Sequence, residues 1–169
     1  MSRPAINDYA KSFAGYIAEV NEDDLIEAIK NQSLILPVFL NSISEEKSVC
    51  AYAEGKWSIK EVLQHLIDAE RIFNYRALCI ARKEAISLPG FDENTYAANS
   101  NANARKWQTL VDEFLHVRKS TEDLYSSFTE EMLRQKGLSN NNTATPLSFG
   151  FITIGHFYHH KKIIEERYL

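Results

Sequence analysis

Cysteine is scarce in this chain. Cys50 and Cys79 are the two thiols in 169 residues, and no Cys-x-x-Cys pair is present. That excludes a disulfide framework or a thiolate zinc ribbon and reads as two reduced, packed side chains. Long apolar runs are also missing. None approaches the roughly 20 residues that a bilayer-spanning helix needs, so no membrane role is expected. Met1-Ser2-Arg3-Pro4 leads into Asn7, Asp8 and Lys11 rather than an apolar core. No export signal is read there, and the cytoplasm is the expected compartment. Basic residues form no block, and 19 Lys and Arg face 23 Asp and Glu for a formal net charge of −4. Phosphate neutralisation needs clustered cations, so a nucleic-acid partner is not expected. Hairpin signals are weak, with no Asn-Gly or Asp-Gly turn and no sustained alternation. Neither GxGxxG nor a P-loop occurs, and no Ser-His-Asp or Cys-His arrangement is supported.

What is present is helical periodicity. The length suits one domain over residues 1–169, and the apolar content of 44% suits a packed core. A short helix is expected around Asn7 to Glu19. The first long helix is expected from Glu22 to Ile43, with Leu25, Ile29, Leu36 and Leu40 on one face and Pro37 predicting a kink or break. The second begins at Ser58, where Ser58 and Glu61 fit a capping box and Trp57 with Val62 a hydrophobic staple. Its inward stripe is Val62, Leu66, Ala69 and Phe73, and it runs to about Arg82. Lys83 to Asn103 is a long connection with a Pro89-Gly90 turn, of the kind that is functional or locally structured. A third helix follows from Ala104 to Phe128, with Trp107, Leu110, Phe114, Val117 and Leu124 on one face. Gly137 to Pro146 reads as a loop. The last helix starts near Leu147, with Thr145 as cap and Pro146 at its first position. Four amphipathic helices without strands predict an all-α four-helix bundle, and the long second connection permits a crossover.

Three of the five histidines fall in Gly155-His156-Phe157-Tyr158-His159-His160. His156 and His160 are i and i+4 on the last helix, a spacing that lets two imidazoles converge on one metal ion. Phe149, Ile152, His156 and Ile163 share a narrow stripe, and His159 and His160 flank it on opposite sides. Spacing alone does not choose between them, because i,i+3 pairs also ligate metal in bundles. His65, on the second helix, borders the inward stripe, close in angle to Ile72 and Arg76. Asp68, three residues on, is placed either to orient His65 or to make a surface ion pair. Arg76 is read first as the partner of a carboxylate and second as an anion binder. His116 packs alone or faces solvent, His159 supports the site or lies at the surface, and Glu165, Glu166 and Arg167 form a solvated helix end. The bland alternative is that the inward histidines are hydrogen-bonded core residues.

Two stretches carry a family resemblance. Trp57-Ser58-Ile59-Lys60-Glu61-Val62-Leu63-Gln64-His65-Leu66-Ile67-Asp68-Ala69-Glu70-Arg71 resembles the signature second helix of the DinB-like, YfiT-type superfamily. Gly155 to His160 resembles its C-terminal GHxxHH motif, and Leu88-Pro89-Gly90-Phe91-Asp92-Glu93 its loop. The resemblance spans roughly Leu25 to Tyr168. It implies a four-helix bundle with a long crossover and a metal triad of His65, His156 and His160. It also implies a divalent metal such as zinc or nickel, and a homodimer. Activities known in the superfamily include thiol-cofactor S-transfer and a thiol-dependent isomerisation.

The expected function is therefore a metal-dependent enzyme acting on a small molecule. It would be an S-transferase that uses a low-molecular-weight thiol, or a hydrolase. Three neutral imidazoles leave room on a divalent ion for water or a thiol, either of which becomes more acidic there. The alternative is a non-catalytic metal-binding stress-response module whose triad ties two helices together.

Overall fold

Local capping chemistry sets the ends of the long helices. The computed structural model describes residues 3–169, so Met1 and Ser2 lie outside the described residues. In chain order the helices are α1 (Ala14–Ala18), α2 (Leu25–Asn41), α3 (Glu45–Ser48), α4 (Ile59–Ala81), α5 (Glu93–Asn99), α6 (Trp107–Ser126), α7 (Glu130–Arg134) and α8 (Pro146–Arg167). Asp24 caps α2 by accepting from the Glu27 N–H at 3.0 Å. At α4 the capping box is formed: Ser58 Oγ accepts from the Glu61 N–H at 3.2 Å, and Glu61 accepts from the Ser58 N–H at 2.7 Å. At α8 Thr145 Oγ1 accepts from the Ser148 N–H at 3.1 Å, and Pro146 takes the first turn, where its missing N–H costs nothing. Of the kink or break expected at Pro37, no break occurs: α2 runs through it.

The four long helices form the bundle, and their packing reveals the crossover. Helix α4 lies against α6 and α8, and α2 also lies against α6 and α8. Consecutive helices α2 and α4 are therefore diagonal, as are α6 and α8. The long Lys83 to Asn103 connection joins the neighbours α4 and α6. The crossings are made instead by the segments after α2 and after α6. No helix among the described residues is long and apolar enough to cross a membrane.

Two expectations are corrected. Gly137 to Pro146 is not a plain loop: β1 (Gly137–Ser139) and β2 (Asn142–Ala144) pair antiparallel, Leu138 opposite Thr143. Asn140 and Asn141 make the turn at φ 48° and 60°, the left-handed region that asparagine tolerates. This hairpin docks on the first long connection, where the Asn140 N–H donates to the Leu88 carbonyl at 2.8 Å. The cysteines are free as expected but not packed, Cys50 being exposed and Cys79 half-buried.

The core is apolar at both ends and polar in the middle. One cluster gathers Leu25, Ile29, Phe73, Phe149 and Phe151, and the other Leu36, Leu63, Trp107, Phe114 and Phe157. Between them Arg118 is 2% exposed and Glu70 2%. Arg118 donates from Nε and Nη2 to the two Glu70 oxygens at 2.8 Å each, a bidentate pair. Arg118 also donates to Gln32, and Gln32 Nε2 donates to the Ile154 carbonyl at 2.8 Å. One polar chain thus reaches all four long helices. Its members satisfy one another, as buried charges must.

Candidate metal centre

The last helix places its histidines by packing rather than by amphipathicity. Every residue of α8 from Pro146 to Phe157 is buried, because α1, α2, α4 and α7 all contact it. His156 is 5% exposed within that stretch, and His65 on α4 is 8% exposed across from it. Gly155 makes room beside His156: a Cβ there would meet the Tyr16 carbonyl oxygen at 1.8 Å. The missing side chain lets α1 lie on α8 and brings the Tyr16 ring to 5.0 Å from the His156 ring. Arg3 fastens the end of α1 from outside, donating to the Val20 carbonyl at 2.7 Å and to that of Ile17.

Three imidazoles converge. His65 Nε2 is 3.0 Å from His156 Nε2, and His160 Nε2 is 3.1 Å from His156 Nε2. The ligand atoms of the three all lie within 4.8 Å of one another. A tetrahedral ion at ~2.0–2.1 Å from each imidazole nitrogen needs those nitrogens roughly 3.3 Å apart. The residues present therefore fit a divalent ion with three nitrogen ligands and an open position. Burial drives the His65 imidazole down to about 4 and that of His160 to about 3, the latter aided by His65 and His159. His156 is pushed well below its ordinary value by burial and then by the histidines around it. All three are neutral at pH 7, the form that ligates metal.

The other candidates separate cleanly. His159 is outside the nitrogen cluster, its ring 5.2 Å from Tyr16 and 5.1 Å from His160. His116 is exposed on α6. Asp68 does not orient His65; it accepts from Gln64 Nε2 at 2.9 Å, and burial raises its carboxyl. Glu70 turns inward and pairs with Arg118. Arg76 has no ion-pair partner among the described residues. It is 5% exposed, donates to the Pro89 carbonyl at 2.7 Å and lies over the Phe91 ring. Glu165, Glu166 and Arg167 are exposed as expected.

Three aromatic neighbours were missed as site residues. Trp57 packs on His65 with ring centroids 5.0 Å apart, and the Tyr168 hydroxyl, donating to the Trp57 carbonyl at 2.7 Å, holds that segment to the end of α8. Phe73 lies 6.0 Å from His156, and Tyr16 covers its other side. The glycine at 155 was the available signal for Tyr16, since a glycine inside a helix marks a close approach.

The family model for the DinB superfamily matches residues 30–164, a stretch that includes all three converging histidines. The chain belongs to the DinB superfamily. Among curated proteins it is 25% identical over 96 residues to one from Oceanobacillus iheyensis that is provisionally named a metal-dependent hydrolase. That match covers 57% of this chain and 55% of the relative, so the chain spans about half the length of the curated relative it matches. Among solved structures it is similar to YfiT from Bacillus subtilis, described provisionally as a metal-dependent hydrolase with an unusual four-helix bundle topology. The TM-score is 0.76 at 14% identity, over 98% of this chain and 91% of that one. The four-helix-bundle fold is thus shared along nearly the whole chain.

Proposed function

We propose that this DinB-superfamily chain is a metal-dependent enzyme in which His65, His156 and His160 bind one divalent ion, zinc or nickel, and that it hydrolyses a small molecule. The observation that carries the reading is the convergence of three neutral Nε2 atoms, two from buried histidines and one from the half-buried His160, with nothing but imidazole in the cluster. The provisional names of the two similar proteins support it. A divalent ion there supplies Lewis acidity, making a bound water or thiol more acidic. The protein's own part is to hold the three imidazoles in an aromatic setting. Trp57 packs on His65, and Phe73 and Tyr16 pack on His156. Tyr16 keeps its proton on Oη at neutral pH, since burial and then the Glu93 carboxylate raise its phenol above the ordinary value. It is thus a hydrogen-bond donor beside the site rather than an anion.

Thiol S-transfer is the second reading. Three neutral ligands leave the full charge of a divalent ion uncompensated, a setting that stabilises a thiolate as well as an ionised water. Turnover of an activated ester and of an electrophile, each with and without a low-molecular-weight thiol, separates the two. Thiol-independent ester cleavage that disappears in His156→Ala supports hydrolysis. Turnover only with thiol supports transfer. Full activity in His156→Ala overturns both. A homodimer is also proposed, supported by Leu34 and Val38 of α2, each 74% exposed on one outer face; sedimentation equilibrium tests it.

A further inference from the structure

A cavity of about 320 Å³ lies behind two of the rings that touch His156, Tyr16 and Phe73, and none of the three histidines lines it. Its size is at the small end of ligand pockets. Phe13, Phe73 and Phe149 give it an aromatic side, with Phe13 edge-on to Phe73 at 6.1 Å and Phe73 stacked on Phe149 at 5.8 Å. The opposite side is polar and comes from outside the bundle, from the Gly90 to Glu93 segment and the β1–β2 hairpin. Arg76 lines this cavity while being 5% exposed, and its one hydrogen bond goes from Nη2 to the Pro89 carbonyl. Its other guanidinium donors take no partner among the described residues. Glu93, the other charged residue on the lining, is exposed and forms no ion pair with it. Burial works against the Arg76 charge and the Glu93 carboxylate supports it. A guanidinium desolvated to this degree without a counter-ion costs free energy that an anionic ligand would offset.

Position along α4 gives the cavity a direction. Arg76 follows His65 by 11 residues, three turns, which at about 100° per residue returns to the same face roughly 16 Å along the axis. We infer that this cavity binds a small carboxylate with an apolar, ring-sized body. Arg76 holds the anionic end and the aromatic wall holds the body. Tyr16 and Phe73 stand between the bound molecule and His156, so the binding claim does not rest on the enzymatic reading above. A guanidinium pairs with a carboxylate bidentately, which fixes orientation as well as charge.

The test is binding of phenylacetate and hexanoate, with phenylacetamide as the uncharged match, followed by titration calorimetry on the full chain. Metal content is read in the same samples, and the titration is repeated after chelation. The expected result is that native protein binds the carboxylates in preference to the amide. Arg76→Met should weaken carboxylate binding at least about tenfold with the amide unchanged, and Arg76→Lys should restore part of it. Adding phenylacetate to native protein should also shift the Arg76 Nε–Hε nitrogen resonance, a readout that does not depend on a variant folding. Carboxylate binding that survives chelation but requires Arg76 supports the inference even if no metal is found, in which case the metal reading alone fails. Equal binding by Arg76→Met, loss of carboxylate binding on chelation alone, an unmoved Arg76 resonance, or no preference over the amide overturns it.

Discussion

Gly155 and Tyr16 touch backbone to backbone: the position a Cβ would take on Gly155 is 1.8 Å from the Tyr16 carbonyl oxygen. Alanine is the better helix former by about 1 kcal/mol, so propensity alone makes Gly155→Ala stabilising. Overpacking opposes it, at about 1–3 kcal/mol, and the obstacle is backbone, which cannot rotate away. The clash wins. Gly155→Ala should lower the melting temperature by several degrees. It should also lift α1 and separate the Tyr16 and His156 rings, seen as a changed near-ultraviolet tyrosine signal. A stabilised variant with an unchanged signal would show that α1 does not rest on α8 in solution.

The same contact marks where sequence reading stops. The capping residues Ser58, Glu61, Thr145 and Pro146 are legible because their partners lie within three residues. The inward stripe on α4 is legible because helical period is local, and it set His65 at its border; on α8 the spacing put His156 inward but left His159 and His160 on opposite flanks. Choosing His160 over His159 needed the family motif, since both flank the stripe equally. Gly155 signals a close approach, but that Tyr16 makes it was out of reach, because its place depends on α1 crossing a helix about 140 residues later in the chain. Glu70 and Arg118 were out of reach for the same reason, lying 48 residues apart on helices where charge reads as surface. The hairpin was legible and missed: Asn140-Asn141 supplies two left-handed residues as an Asn-Gly turn does.

Arg118→Met should be severely destabilising. It leaves the Glu70 carboxylate buried and unpaired, a change that costs about 3–5 kcal/mol. Replacing both partners, Glu70→Leu with Arg118→Met, removes the orphaned charge and should recover much of that loss. Urea denaturation measures both. A single variant as stable as the native chain would mean that water reaches this layer.

Acid should weaken the metal-stripped protein through its triad. The folded imidazoles of His65 and His160 titrate at about 4 and about 3, below the ordinary 6.5. As pH falls below 6.5 the unfolded chain takes up protons that the folded one refuses, so stability is complete above that value and is lost towards 4 and then 3. Carboxylates also titrate near the lower end, so the quantity to read is the difference between native and His65→Leu melting temperatures from pH 7 to about 4. That difference should shift in favour of His65→Leu as pH falls. A constant difference would show that His65 protonates as freely folded as unfolded.

Metal content separates the triad from its neighbour. His156 contributes the nitrogen 3.0 and 3.1 Å from both others, so His156→Ala removes the ligand on which the cluster is centred. His159 packs on Tyr16 and His160 without pointing a nitrogen into the cluster. Elemental mass spectrometry of protein reconstituted with zinc or nickel should find near-stoichiometric metal in native chain and in His159→Ala. It should find metal lost from His156→Ala and strongly reduced in His65→Ala and His160→Ala. If metal also ties α4 to α8, chelation should lower the native melting temperature but leave that of His156→Ala unchanged, because only the native chain has a bound ion to lose. Metal lost from His159→Ala and retained in His160→Ala would move the site one step around the helix, giving the i,i+3 pair of His156 with His159 that spacing alone left open.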